Sequence, residues 1–508
     1  MKNYFLCLWI CFSYFEMWAQ IHQPQRFEVE LKYSDSYFTV IPAGKDGVAL
    51  VRESSEKGKL TETFYEVIKL DTALNKQWGT LYNIDYNLLL RGYDYHNGFI
   101  ILLFTNKFNN KNDLTLYRID SETTEIEKYV IEIDFVVELS HFEMVGNSAI
   151  LSGYVNYRPA VFLYDLSEKR LVALRGFYSD RSEIIQVDVD DEREIFHVMT
   201  TMRTMDRMNT IIMKSFDKHG ELLINTALKP DDGYSLLYGQ ATTTNYGQQF
   251  IVGAFSKAKA AQPGKESYSA GIFIAKVDEW GEQQINYYNY ADLDNFFNYM
   301  KAGKQKRVKA KIERKKVKGK QARFNYKLLV HNIIQRDNGD YIMLGEAYYP
   351  TTISRSGYAP SFYNYPGYAQ SIKGFRYTHA VVVGFNSAGK LIWDNSFEIN
   401  DVESYYLEKF VHADVQNDKI ILFYNFENVI RTKIIEGEDV LEGKSFNDIV
   451  LKFSDDVVDG NDQMVGGLEE WYSNNFLAYG IQTIKKANNT DTAKRKREVF
   501  FVNKIYYK

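Results

Sequence analysis

Two kinds of hairpin alternate along the chain. In one, an apolar strand enters a turn rich in Asp, Asn and Gly and returns as a second strand: "YEVIKLDTALNKQWGTLY", "LTLYRIDSETTEIEKYVIEI", "AVFLYDLSEKRLVALRGF", "IIMKSFDKHGELLINTAL", "IFIAKVDEWGEQQINYYN" and "AVVVGFNSAGKLIWDNSF". Gly220, Gly281 and Gly389 fall at one offset in these turns, where a hairpin calls for a residue at positive φ. In the other kind the turn is tighter and the return strand more apolar. It occurs eight times, as "FTVIPAGKDGVALV", "GYDYHNGFIILLF", "FEMVGNSAILSGY", "VDVDDEREIFHVM", "TTTNYGQQFIVGAF", "IIQRDNGDYIMLGEA", "HADVQNDKIILFYN" and "EEWYSNNFLAYGI".

Each pair of hairpins makes a four-stranded unit with two apolar faces, which must be covered by neighbours. Alternation at intervals of about 45 to 60 residues matches blades set radially, so the fold class expected is all-β, a β-propeller. A β-sandwich also has regular strands but does not call for two hairpin types in strict alternation. Eight blades are favoured; seven stay open because the seventh unit, ending in "NDIVLKFSDD", is less regular in its second half. The eighth unit lacks an outer strand. Residues 26–33, "RFEVELKY", have no unit of their own, so they are expected beside residues 498–507, closing the ring and removing an exposed edge.

The chain opens with "MKNYFLCLWICFSYFEMWAQ", an apolar stretch well short of the ~20 residues that span a bilayer, ending at Ala19. Residues 1–19 read as a secretory signal peptide and 20–508 as a single propeller domain, exported to the periplasm or the extracellular space. No transmembrane segment is expected in the mature chain. Cys7 and Cys11 lie inside the leader, so disulfides, thiolate nucleophiles and cysteine-held zinc are excluded from the mature protein. A core drawn from 45% apolar residues has to hold it.

In a meander, connections alternate between the two faces of a ring. The tight turns share one face and are acidic, with "AGKDG", "VDDER", "DNGD" and "SDDVVDGND" as examples. The long connections share the other face, including two insertions at about residues 292–326 and 348–377. Residues 301–327 hold thirteen Lys or Arg and one Glu; subtracting that local +12 from the formal −5 leaves −17 elsewhere. "SKAKAAQPGK" and "KKANNTDTAKRKRE" carry the same sign on the same face, so one cationic and one anionic face are expected. Leu293, Phe296, Phe297 and Met300 stand at helical spacing and suggest that the first insertion begins as a short docked helix.

The candidate binding residues are Lys315, Lys316, Lys318 and Lys320 in the basic run, with Phe362, Tyr363, Tyr365, Tyr368 and Arg376 in the second insertion. Flat amphipathic rings beside cations suit sugars, whose apolar faces stack while their carboxylates or sulfates meet the charges. The plainer reading is a solvated lysine loop and an aromatic cover over the central opening. Nucleic acid is an unlikely partner, since no recognition module is present and the overall charge is negative.

No catalytic motif, phosphate loop or histidine-rich metal cluster is present, so no catalytic residue, metal or cofactor is assigned. Of eight histidines, His96, His141, His331 and His412 recur near first strands, which line a propeller's channel. Structural histidines satisfied by nearby backbone are favoured there over an axial metal site. "DDVVDGND" reads as an acidic turn and "VDVDD" as a strand end. Through the leader ending at Ala19 and Gln20 and the "NGDYIMLGE" hairpin, the chain resembles uncharacterised exported β-propeller-like proteins of Bacteroidota, and the resemblance brings no activity with it. The function expected is a non-enzymatic binding or scaffold propeller, taking an anionic or carbohydrate ligand (a polyanionic glycan or envelope glycolipid) or a partner protein on its long-loop face. The alternative is a polysaccharide-degrading hydrolase or lyase with its site at the channel mouth.

Overall fold

A computed structural model describes residues 21–508 apart from 33–34, 58–61, 108–112, 244–247, 258–268, 321, 323, 325, 353–371, 400–401, 406 and 488–495. The leader and the four aromatic candidates Phe362, Tyr363, Tyr365 and Tyr368 fall outside the described residues.

The strands form eight antiparallel sheets, seven of four strands and one, blade six, with two short additions. Blade one runs Thr39–Pro42, Val48–Lys57, Glu62–Leu70 and Lys76–Asp85 in that spatial order, and the following blades repeat it. The protein is an eight-bladed β-propeller. Gly220, Gly281 and Gly389 all adopt positive φ, 84°, 83° and 71°, as their turns demand.

Blade eight closes the ring. Asp456–Glu470, Asn475–Lys486 and Lys496–Tyr507 supply three strands, and Ile21–Glu30 is the fourth, antiparallel to the last with Arg26 opposite Asn503 and Val29 opposite Phe500. The joining strand begins earlier than the pattern suggested, at Ile21. Behind it, Leu477, Phe500 and Val502 bury against Val48, Leu50 and Leu70 of blade one. Each such side chain contributes roughly 1.5–3 kcal/mol by leaving water.

The first strands of blades one to six approach one another in succession, as do those of blades seven and eight, so these strands line the axis. In blades two to five, Leu88–His96, Glu138–Val145, Ser182–Asp190 and Ser235–Thr243 each contain a bulge, where Arg91, Ser140, Ile185 and Leu237 are the extra residues. A bulge re-aims the side chains that follow it. Two of the bulges are covered by glycine on the second strand: a Cβ on Gly153 or Gly253 would lie 2.1 Å from Glu138 O or 1.8 Å from Tyr238 O.

Two local expectations fail. "DDVVDGND" is no turn: Asp456 opens a fifteen-residue strand, because pairing with residues 475–486 holds it extended. It therefore starts on the long-loop face, where Asp459 meets Lys485 at 2.5 Å and also Lys496, while Asp455 meets Lys486 at 2.8 Å. The basic eighth-blade connection is thus neutralised locally, and the long-loop face is not uniformly cationic. The second failure is in the first insertion, where residues 293–300 form turns and the helix is the basic run itself.

Candidate functional site

Two charged features stand out, one on the long-loop face and one on the axis. The first is the helix Ala302–Val317. Ile312 is buried, and Val308, one turn earlier, is partly buried, which docks the helix on a cluster containing Leu293, Phe296 and Phe297. The cluster is held from below by His379, fully buried, with Tyr299 stacked on it at 3.7 Å and Phe296 edge-on at 4.8 Å. The Tyr299 and Tyr326 hydroxyls share a hydrogen bond of 2.6 Å, tying the two ends of the insertion together. Aromatic spacing therefore marks an anchor rather than a helix.

Along this helix the cations face solvent. The first turn contains no acid, and no side chain caps the N-terminus, so the early lysines oppose the helix dipole. Like charges one turn apart, such as Lys311 and Lys315, add repulsion. Lys315 and Lys316 lie in the last turn of the helix, and Lys318 and Lys320 follow its end. Lys316 reaches Asp292 at 3.7 Å. Arg376 stands on the strand Ile372–Phe385 and pairs with Glu403 at 3.8 Å.

The second feature is the channel. Asp94, Glu143, Asp188 and Gln240 each lie three residues beyond the bulge of their blade, so they form one rung around the axis. Asp94 accepts hydrogen bonds from Tyr95 N at 2.7 Å and from Met144 N of the next blade at 2.9 Å. Asp188 accepts from Gln186 Nε2 at 2.6 Å and Gln240 Nε2 at 2.8 Å. Glu143 is open to the water of the channel yet walled off from bulk solvent. That enclosure, with the charges of Asp94, Asp188 and Asp191, pushes its carboxyl up to about 8; Lys409 acts against the rise.

Across the lumen, Glu408 and Glu469 are raised by the same enclosure and by neighbouring acids, and Tyr93 among them is pushed up to about 12. Lys409 is placed by a buried carboxylate. Glu346, fully buried, accepts from Phe410 N at 2.8 Å, Val411 N at 3.0 Å and His331 Nε2 at 2.7 Å, fixing the crossover that carries Glu408 and Lys409.

The four channel histidines do not meet at one point. His96 lies 3.5 Å from Asp191, His141 bonds the hydroxyls of Ser140 and Ser152, His331 bonds Glu346, and His412 stands 3.5 Å from Glu470. Among the described residues, no three His, Cys, Asp or Glu side chains come together as metal ligands. A separate cleft of about 370 Å³ opens on the tight-turn face, lined by His96, Arg118, Glu194, Lys218 and His219, whose charges are mixed.

The acid rung gives a pH test. Between its ordinary value near 4.5 and its folded value about 8, Glu143 holds its proton better in the folded state. Its contribution to stability is therefore full at the acid end and declines as pH rises through 8. His379, held down to about 3 by burial, acts oppositely but only below its ordinary 6.5. From pH 6.5 to 8.5 the melting temperature should fall, and the slope should flatten in Glu143→Gln, as scanning calorimetry would show.

No protein-family model matches the chain, and no curated protein matches it. Among solved structures, it is similar to the polysaccharide lyase Uly1 at 8% identity and a TM-score of 0.37, over 82% of this chain and 89% of that one. It is similar to the β-propeller domain of the Trilobed protease from Pyrococcus furiosus at 10% identity and a TM-score of 0.34, over 82% and 95%. For a prolyl endopeptidase the identity is 10% and the TM-score 0.36, over 82% of this chain but only 50% of the enzyme.

Proposed function

We propose that this is an exported, non-enzymatic binding propeller that takes an anionic ligand on its long-loop face, with Lys315, Lys316, Lys318 and Lys320 as the contact charges and Arg376, Phe362, Tyr363, Tyr365 and Tyr368 as further candidate contacts. One observation carries the reading: a docked helix keeps a dense set of cations exposed or half-exposed with Glu313 as its one acid, so that like charges one turn apart, such as Lys311 and Lys315, repel one another. Stability alone would not select that arrangement; an anion bound there would relieve it. A polyanionic glycan, an envelope glycolipid or an acidic partner protein would supply such a charge.

Replacing the four lysines with glutamine should reduce retention on a sulfated-polysaccharide column and flatten its salt dependence. Stability should stay within about 0.5 kcal/mol, because the substituted positions are exposed or half-exposed. Retention equal to that of the parent would reduce the helix to a solvated cover.

A second reading, a polysaccharide-degrading enzyme, is favoured by the channel acids. Glu143 would be protonated at neutral pH beside the aspartates of the same rung, the pairing of acid and carboxylate that glycoside cleavage uses. Turnover of an anionic polysaccharide by the parent, abolished in Glu143→Gln, would establish it in place of the first.

A further inference from the structure

The helix on the long-loop face leaves the channel unexplained. Carboxylates from several blades point their charges at one another there: Glu143 feels Asp94, Asp188 and Asp191, and Glu469 feels Glu470. Lys409 is the lysine whose charge reaches Glu143, Asp188, Glu469 and Glu470, joined at Glu469 by His412 and at Glu470 by His412 and His331. One ammonium group beside two imidazoles does not balance such a set.

The second observation is independent of charge. Several buried polar atoms around the channel have no hydrogen-bond partner among the described residues, and most of them are acceptors. Gln240, 2% exposed, turns its amide nitrogen to Asp188, which leaves Oε1 without a donor. Gln186, on the neighbouring strand position, is left in the same state by the same carboxylate. Glu346 Oε2 also lacks a donor. His412, 7% exposed, has both ring nitrogens unpartnered; Nδ1 faces Glu470 at 3.5 Å without hydrogen-bond geometry. The oxygens in this set can only accept, whereas an imidazole with a single ring proton offers one acceptor nitrogen and one N–H donor. Gln240, Gln186 and Glu346 thus leave three buried oxygens short of N–H donors.

The acids are spread over blades two, three, four and eight, and no three of them gather into a metal-ligating group among the described residues. A compact divalent ion would meet one or two carboxylates. A chain of ammonium groups, each with two or three donors, would meet them in succession, with apolar segments passing the exposed ring of Tyr93. We propose that the axial channel is a binding site for a linear polyamine, held by Glu143, Asp188, Glu469 and Glu470 with Gln240 as a neutral acceptor.

The test is calorimetric titration of the full chain with spermidine at about 0.15 M salt, where exposed charges are largely screened, against magnesium at equal ionic strength. Spermidine should bind and raise the melting temperature, and magnesium should do neither. Glu143→Gln and Glu470→Gln should each weaken spermidine about tenfold, equivalent to ~1.4 kcal/mol. Lys409→Met, which removes the competing cation, should tighten it. These changes have opposite signs, so a general loss of structure cannot imitate both. The four-lysine variant of the outer helix should bind spermidine like the parent, which separates this site from the polyanion surface. Equal effects of magnesium and spermidine, or unchanged binding in both glutamine variants and in Lys409→Met, would overturn the proposal.

Discussion

A chain lacking Ile21–Glu30 should lose the single cooperative unfolding transition of the ring and melt early and broadly. The strand makes the outer ladder of blade eight, and each ladder bond is worth about 1 kcal/mol net. Its side chains also hold charges that cannot be left alone. Arg26 and Glu28 are almost completely buried; Glu28 pairs with Arg26 at 3.1 Å and Arg497 at 2.7 Å, and Arg497 in turn pairs with Asp456 of the first strand. Arg26 also reaches Gln482 at 3.0 Å and Asn503 at 3.2 Å. Losing the strand leaves Arg497, Gln482 and Asn503 without these partners, so the total cost is comparable with the ~5–15 kcal/mol that holds a whole domain. Glu28→Ala alone should cost about 3 kcal/mol, the low end for breaking a buried pair, because the seam lies near the rim. Both are read from urea denaturation. The two arginines keep the Glu28 carboxyl below its ordinary value despite burial, so its contribution is present above that value and lost as pH falls through the folded one. Acid should therefore open this seam.

Glu346→Ala should be nearly as damaging, by about 3–5 kcal/mol, although it removes a single side chain. The carboxylate is the shared acceptor for two backbone amides and His331, and alanine leaves all three buried without it. The crossover has another clamp: Tyr377 donates its hydroxyl to Glu408 O at 2.7 Å and accepts from Glu408 N at 3.0 Å. Fold should thus survive while Lys409 loses its fixed position. Glu346→Gln keeps one carbonyl acceptor and should cost about half as much, a difference that denaturant midpoints at unchanged slope would reveal.

The ring was legible because hairpin chemistry is local. Turn glycines at one offset and apolar return strands repeat whether or not the blades have met, and the orphan strand before blade one had nowhere else to go. The acid rung was not legible in the same way. Asp94, Glu143 and Asp188 each read as an ordinary polar position on a half-exposed strand, among 66 acids. They coincide only when "YDYHNG", "FEMVGN" and "VDVDDE" are aligned on their turns, where each acid stands three residues ahead. That signal was present in the sequence. The bulge obscures it by shifting the alternation by one residue. "DDVVDGND" failed for the opposite reason: its composition is that of a turn, and the neighbouring strand together with four basic side chains at its start overrode the local preference. The helix failed because aromatic residues at helical spacing were read as its apolar stripe, whereas they form the floor on which Ile312 lands.

The partnership of Ile21–Glu30 with Lys496–Tyr507 also sets the order in which the molecule can form. Arg26 and Asn503 are 477 positions apart, so the strand synthesised earliest in the ring waits for the one synthesised last. Blades one to seven can stack meanwhile, each on local hairpins, but sealing depends on the longest-range encounter in the chain, and such encounters set slow rates. Until that moment Val48, Leu50 and Leu70 of blade one form an unsealed apolar wall. The seam that makes the finished ring stable is therefore, for the unfinished one, the surface most exposed to association with other chains.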